Sequence, residues 1–473
     1  MFFNRRAFLR SAAFTALGGA AGASLLPGLS GFQAQAADTS GYKALVCLFL
    51  LGGMDNHDTL IPYDQASYDA YAGIRAPLLS LYAGQTGGNS RARERLLPLS
   101  PENAADFGGR QFALPEQFGG IHALFEAGQA AIVGNVGPLV APLTRADWDT
   151  ESVAVPKRLF SHNDQQATWM ASAPEGAQYG WGGRFADCVL LGGSRQTREF
   201  TTITSLGNEL FLTGEEAKPY QVGLEGATQV ELLQFFEGNP YGQPDDQLYQ
   251  DMRRHFAAMD FARTNLIERD IAAAMRAGLD TNEAFNTALA SAQPITTPFP
   301  TSFLGQQLQA VARTISIRDA LLMNRQIFFV AAGGFDTHSA QASDLPALQT
   351  EIDAAVTAFY TAMTEFGLAG DVTLFTATDF GRTLAINGDG TDHGWGSHQF
   401  VIGDAVQGGR IYGDIPPTGF DHDFDAGGGR LIPTLSVEQY AAALGNWFGL
   451  SEADLVAALP NLSSFSGARP AFI

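Results

Sequence analysis

Cysteine is nearly absent: 473 residues contain only Cys47 and Cys188. That excludes a disulfide framework and argues against a zinc-thiolate centre. Positive charge is also scarce, with 28 Lys and Arg against 49 Asp and Glu, a formal net charge of -21. Such a chain repels nucleic acid and anionic membrane, so a bound anion needs local positive charge from metal ions or a few arginines. There is no Gly-x-Gly-x-x-Gly fingerprint and no cysteine cluster, which disfavours a redox role. Fixed-period repeats and low-complexity tracts are missing as well. What the chain does have is glycine, 53 residues of it, and enough hydrophobic residues (45%) to bury a large core.

Residues 1–37 read as a targeting segment rather than as part of the fold. Asn4-Arg5-Arg6-Ala7-Phe8-Leu9-Arg10 resembles a twin-arginine export motif, and Ala34-Gln35-Ala36 is a small-x-small cleavage pattern. The Ala/Gly/Leu stretch between them is too short and glycine-rich for a membrane span, and no cysteine is there to carry a lipid. The expectation is export through the twin-arginine machinery to the periplasm or beyond, with no stable membrane anchor.

Residues 38–473 are expected to form an α/β domain with a mostly parallel central sheet and helices on both faces. Ala44 to Leu51 is a continuous apolar run ended by Gly52-Gly53-Met54-Asp55, the pattern of a strand covered on both sides. Ala130 to Val136 is a second strand, and Cys47 is a small buried hydrophobe. Gln326 to Ala332 repeats the opening design: an apolar strand, paired glycines, then Asp336-Thr337-His338. An amphipathic helix carrying Ile352, Val356 and Phe359 leads to Val372 to Ala377, a crossover between parallel strands. Residues 190–300 carry no catalytic signature and read as an insertion or cap. Arg91, Arg93 and Arg95 read as a solvated surface patch.

Asp55, Asp336 with His338, and Asp379 thus stand at strand ends, where open α/β sheets bind ligands. A glycine-rich loop adds Asp392, His393 and His398. Mixed carboxylates and imidazoles suit divalent ions of the zinc, manganese, magnesium or calcium type. Two such ions would clamp the attacking and leaving oxygens of a phosphoryl-type displacement. Each residue has a plainer reading as a turn or capping residue; for His398 the ligand and structural readings balance. Ser161, before a helix, either caps it or attacks. His122, His255 and His422 stand alone and are assigned no role.

Gly52-Gly53-x-Asp55, Ser161-His162, Gly334-Phe335-Asp336-Thr337-His338, Asp379-Phe380-Gly381-Arg382 and Asp392-His393-Gly394 together resemble the motifs of the DUF1501 family. That resemblance implies an alkaline phosphatase and sulfatase-like fold. It also implies a two-metal site with Asp55, Asp336, His338, Asp379 and His393 as ligands, to which the loop adds His398. Ser161 stands where the nucleophile is implied, and His162 or Arg382 would steady the anion. Two departures stand out: Asp379 replaces the usual Glu, and Asn56-His57-Asp58 follows Asp55 where Gly-x-Asn is usual. No Cys-x-x-x-Arg sulfatase signature is present. The expected function is an exported hydrolase of small anionic esters, whether phosphate, phosphodiester or sulfate. The competing expectation is a non-catalytic extracytoplasmic binding or assembly protein.

Overall fold

Strand Lys43–Leu50 (β1) sends alternate side chains into two separate hydrophobic cores. Ala44, Val46, Leu48 and Leu50 enter one, and Leu45, Cys47 and Phe49 enter the other. A strand covered on both faces has no polar side to show, hence the unbroken apolar run. The computed structural model describes residues 37–473 except 86–88, 193–195, 208, 228–250, 252, 253, 255–264, 466 and 468. The expected export signal and His255 lie outside the described residues.

From edge to edge the sheet order is Ile411–Tyr412, Ala130–Gly137 (β2), then Ser397–Ile402, Val372–Thr378, β1, Arg325–Ala332, Thr202–Thr204, Tyr220–Gly223 and Gly226–Ala227. In chain order Arg325–Ala332 is β3, Val372–Thr378 is β4 and Ser397–Ile402 is β5. Pairing is mostly parallel; the antiparallel exceptions are β5, between β2 and β4, and the terminal hairpin. Helices cover both faces. Phe303–Ser316 and Gln341–Glu365 close the first core with Leu308, Ile315, Ile352 and Phe359. Trp181–Gly192 and Val437–Phe448 close the second with Phe185, Tyr440 and Leu444. Each such side chain contributes about 1.5–3 kcal/mol of hydrophobic stabilisation.

The α/β reading therefore holds, but two sequence expectations change. Residues 190–300 are not only an insertion: Thr202–Thr204 pairs in parallel with β3, and the hairpin after it extends the sheet edge. Helix Leu266–Ala290 from the same stretch adds Phe285 and Ala288 to the first core. Arg91 is not part of a solvated patch. It is 1% exposed and forms an ion pair with Asp58 at 2.9 Å.

Strand register aligns the ends from which the site residues emerge. Leu50 pairs with Thr378 on one side and with Ala332 on the other, so β1, β3 and β4 end on one line. The glycines after β1 then allow very close packing. A Cβ on Gly52, whose φ is +114°, would overlap the amide nitrogen of Asp336, and one on Gly53 would meet the Phe380 ring. Gly52→Ala should accordingly destabilise the protein by about 1–3 kcal/mol, from left-handed strain plus overlap. Denaturant unfolding of the two proteins measures this, and an unchanged midpoint would contradict the packing.

Candidate metal centre

Asp336 is the hub. It follows β3 through Gly333 and Gly334, the latter at φ +100°, and its side chain is 43% exposed. Its Oδ1 accepts from Arg382 Nη1 at 2.8 Å and lies 3.1 Å from both His338 Nε2 and His393 Nε2. Its Oδ2 lies 3.4 Å from His162 Nε2. Burial works against the charge on Asp336, but the Arg382 hydrogen bond and charge outweigh it and hold the carboxyl below its usual range.

The three imidazoles share one arrangement. Each turns Nδ1 to an oxygen behind it: His162 to Asp379 Oδ2 at 2.6 Å, His338 to Asp392 Oδ1 at 3.2 Å, and His393 to the Phe160 carbonyl at 2.7 Å. An Nδ1–H donated in this way leaves the Nε2 lone pair facing Asp336. His338 Nε2 and His393 Nε2 are only 2.8 Å apart, and two lone pairs at that distance need a proton or a cation between them. A tetrahedral ion with bonds of about 2.0 Å separates its ligand atoms by about 3.3 Å; the three Nε2 atoms lie 3.1, 3.1 and 3.4 Å from the Asp336 oxygens, and the His338–His393 separation is shorter. Among the described residues, His162, Asp336 and His393 are the group whose ligand atoms gather closely enough for an ion, with His338 alongside. This donor set fits a divalent metal.

The supports come from different elements. Helix His162–Ala171 (α1) carries His162, and Gln166, one turn on, also donates to Asp379 Oδ2 at 2.9 Å. The Asp379 hydrogen bond and charge raise the His162 pKa despite partial burial. Burial, aided by the neighbouring His162 and Arg382 charges, lowers that of His393. Phe160 presents its carbonyl from a left-handed conformation, φ +72°. Arg430 fixes the same region: its Nε donates to the His393 carbonyl at 2.8 Å and its guanidinium lies over the Phe160 ring.

Several expected residues fall elsewhere. Asp55 is fully buried, and its oxygens are taken by Arg75 at 2.7 and 3.1 Å, Gln341 Nε2 at 2.7 Å and the His57 amide at 3.0 Å. It is therefore not among the atoms around Asp336. Asp379 is buried behind His162 rather than beside Asp336, and its Oδ1 has no hydrogen-bond partner. Arg382 is buried too, held by Gly52 O, both oxygens of Thr391 and Asp336, so it positions Asp336 instead of facing an anion. His398 lies at a bulge between β5 and β2, where its Nδ1 accepts the Asn135 amide at 3.0 Å.

His338 and His393 both lie beside Asp336, and His162, expected from the sequence to steady an anion, faces it as well. Ser161 occupies the N-cap position of α1 without capping it; its hydroxyl donates to buried Asp164 at 3.2 Å. Sequence reasoning missed Gln166, Asp164 and Arg75. The spacing of His162 and Gln166 was the available signal, since residues four apart share a helix face.

An α/β fold with a histidine-carboxylate cluster at its strand ends defines the class of the protein. The chain belongs to the family described as "Protein of unknown function (DUF1501)", whose model matches residues 42–459. No curated protein matches it in sequence. Among solved structures it is similar to the PsFucS1 sulfatase from Pseudoalteromonas sp., at 10% identity and TM-score 0.30, covering 80% of this chain and 66% of that one. It is similar also to Ps i-CgsB in complex with k-i-k-neocarrahexaose, at 10% identity and TM-score 0.31, covering 88% and 74%. A Bacteroides thetaiotaomicron structure from a glycosaminoglycan-metabolism locus gives 10% and 0.31, covering 86% and 74%. Likenesses of this size leave the reading of the site to its own geometry.

Burial holds His398 neutral, with its pKa pushed down to about 3. In the unfolded chain it protonates near 6.5. Its contribution is therefore present above pH 6.5 and lost progressively as pH falls toward 3, at about 1.4 kcal/mol per pH unit. His398→Asn keeps an acceptor for the Asn135 amide but removes the titration. Unfolding measured between pH 7 and 4 should show a shallower acid decline in this variant than in the wild type.

Proposed function

We propose that the chain is an exported metal-dependent hydrolase of phosphate, phosphodiester or sulfate esters. The observation that carries this is the convergence of three Nε2 atoms on Asp336, each imidazole held from behind by an oxygen acceptor. Metal-binding histidines are commonly oriented in this manner. The resemblance of the motifs to the alkaline phosphatase and sulfatase-like superfamily supports the ester class. A bound divalent ion would supply Lewis-acid polarisation of an ester oxygen.

The protein's own residues then have distinct tasks. His162, Asp336, His338 and His393 hold the ion, and Arg382 keeps Asp336 charged and oriented. Ser161 lies between two residues of the centre, because the Phe160 carbonyl supports His393 and His162 faces Asp336. Its hydroxyl donates to Asp164, which would take the proton as Oγ bonds to phosphorus or sulfur and the ester P–O or S–O bond breaks. The alcohol leaves with a proton from solvent, and water then cleaves the seryl ester and frees the acid. The start of α1 supplies backbone N–H groups and a dipole that favour the substrate anion. Export rests on the twin-arginine pattern, and among the described residues no helix is long and apolar enough to cross a membrane.

One observation favours the second reading, a non-catalytic extracytoplasmic protein. Both acids of the opening motif, Asp55 and Asp58, are closed off by arginines. Turnover decides between the two. Zinc- or manganese-loaded protein should hydrolyse members of a panel of aryl phosphates, phosphodiesters and sulfates. Ser161→Ala and His393→Ala should each lower kcat by at least about 100-fold. If no ester in the panel turns over, or if Ser161→Ala keeps full rate, the hydrolase mechanism is wrong.

A further inference from the structure

We infer that the centre takes one divalent cation and that buried guanidinium groups stand where a second would be needed. This rests on the metal-dependent reading of the site and departs from the two-ion scheme that the motif resemblance implies. In that scheme Asp55 is a ligand. Here its carboxylate makes four hydrogen bonds, which fill the sites of an ionised carboxyl group. Arg75 is itself held in place, with Nε donating to the Leu384 carbonyl at 3.2 Å and Nη2 to that of Thr383 at 2.8 Å. Both side chains of the pair are fully buried. An ion could reach Asp55 only by displacing one of these donors, and the guanidinium among them is fully buried.

A chain of hydrogen bonds ties this pair to the hub. Gln341 donates Nε2 to Asp55 and accepts at Oε1 from Thr391 at 2.8 Å and Thr337 at 3.2 Å. Thr391 Oγ1 in turn accepts from Arg382 Nε at 3.2 Å, and Arg382 donates to Asp336. Asp55 and Asp336 thus belong to one network, with Arg75 and Arg382 as its fixed cations. An arginine keeps its charge at every accessible pH, so this part of the network needs neither metal nor proton to stay neutral.

The donor atoms agree with that count. Among the described residues the close group of ligand atoms is that of His162, Asp336 and His393, and the triad that His338 makes with His393 and Asp336 shares two of its members, so there is no separate second group. Asp379 Oδ1 is a buried carboxylate oxygen without a partner. It is a single atom, and its partner oxygen Oδ2 already takes His162 and Gln166. One ligand atom does not make a site for a divalent ion, which takes four or more.

The test is the metal content of the full chain, stripped with chelator, titrated with Zn²⁺ or Mn²⁺ and read by calorimetry and elemental analysis. One ion per chain is expected, lost in His338→Ala and in His393→Ala. The stripped protein should keep its wild-type far-UV circular dichroism. Two ions per chain would overturn the inference while leaving the metal-dependent reading intact; none would overturn both. An ion that survives His393→Ala would place it elsewhere and overturn the assignment. Asp55→Asn alone leaves Arg75 buried and unpaired, so Asp55→Asn with Arg75→Gln is the better variant. If folded, it should still bind one ion, and loss of that ion would show Asp55 to be a ligand. If it does not fold, the wild-type count decides.

Discussion

The structure depends on the common line at which three parallel strands end. Leu50 pairs with both Ala332 and Thr378, and the register leaves no slack for the residues just beyond. A one-residue slip would turn every side chain of β1 toward the wrong core, because its two faces feed two different clusters. The hydrophobic alternation that stabilises the sheet therefore also sets where Asp336 and Asp379 emerge. Gly52 completes the constraint by letting the β1 backbone lie against the amide of Asp336.

Charge is organised from the inside outward. Asp58 meets Arg91, Asp55 meets Arg75, and Asp336 meets Arg382, so each acid is paired with an arginine and exposure rises only at the last. A buried ion pair contributes little net stability against an apolar alternative, yet breaking one by removing a partner costs about 3–5 kcal/mol. The pairs thus enforce one arrangement of the loops more than they strengthen it. Tyr71 and Tyr82 add hydroxyl donors to Asp58, and Gln341 adds its amide to Asp55, so the acids have further partners besides the guanidiniums.

Much of this was legible in the sequence and some was not, for physical reasons. Apolar runs ended by paired glycines identified β1 and β3, because strands buried on both sides cannot hide their composition. Asp336, His338 and His393 were legible as a cluster because strand ends converge by topology. Asp55 looked the same as Asp336 by that rule. What separated them was Arg75, twenty residues away on a helical stretch with no motif. Arg91 shows the same blindness: three arginines in close succession read as a solvated patch, and only tertiary packing shows that one of them is buried against Asp58. His398 sits in the same glycine-rich loop sequence as His393, but the bulge opposite Asn135 turns it to a backbone amide.

The groups that orient the three imidazoles come from separate parts of the fold. Asp379 comes from the end of β4, Asp392 from the hairpin that also carries His393, and the Phe160 carbonyl from the turn before α1. Three unrelated pieces of backbone therefore fix the three ring orientations, and no single loop movement can release them together. The left-handed Phe160 costs of order 1–3 kcal/mol as a local conformation. It is held because its carbonyl receives His393 while its ring lies under Arg430, whose Nε is bonded to His393 again. A strained residue braced twice against the same histidine makes structural sense where ring orientation matters. The ring orientations are thus set by hydrogen bonds that belong to the fold itself, the way metal-binding histidines are commonly held.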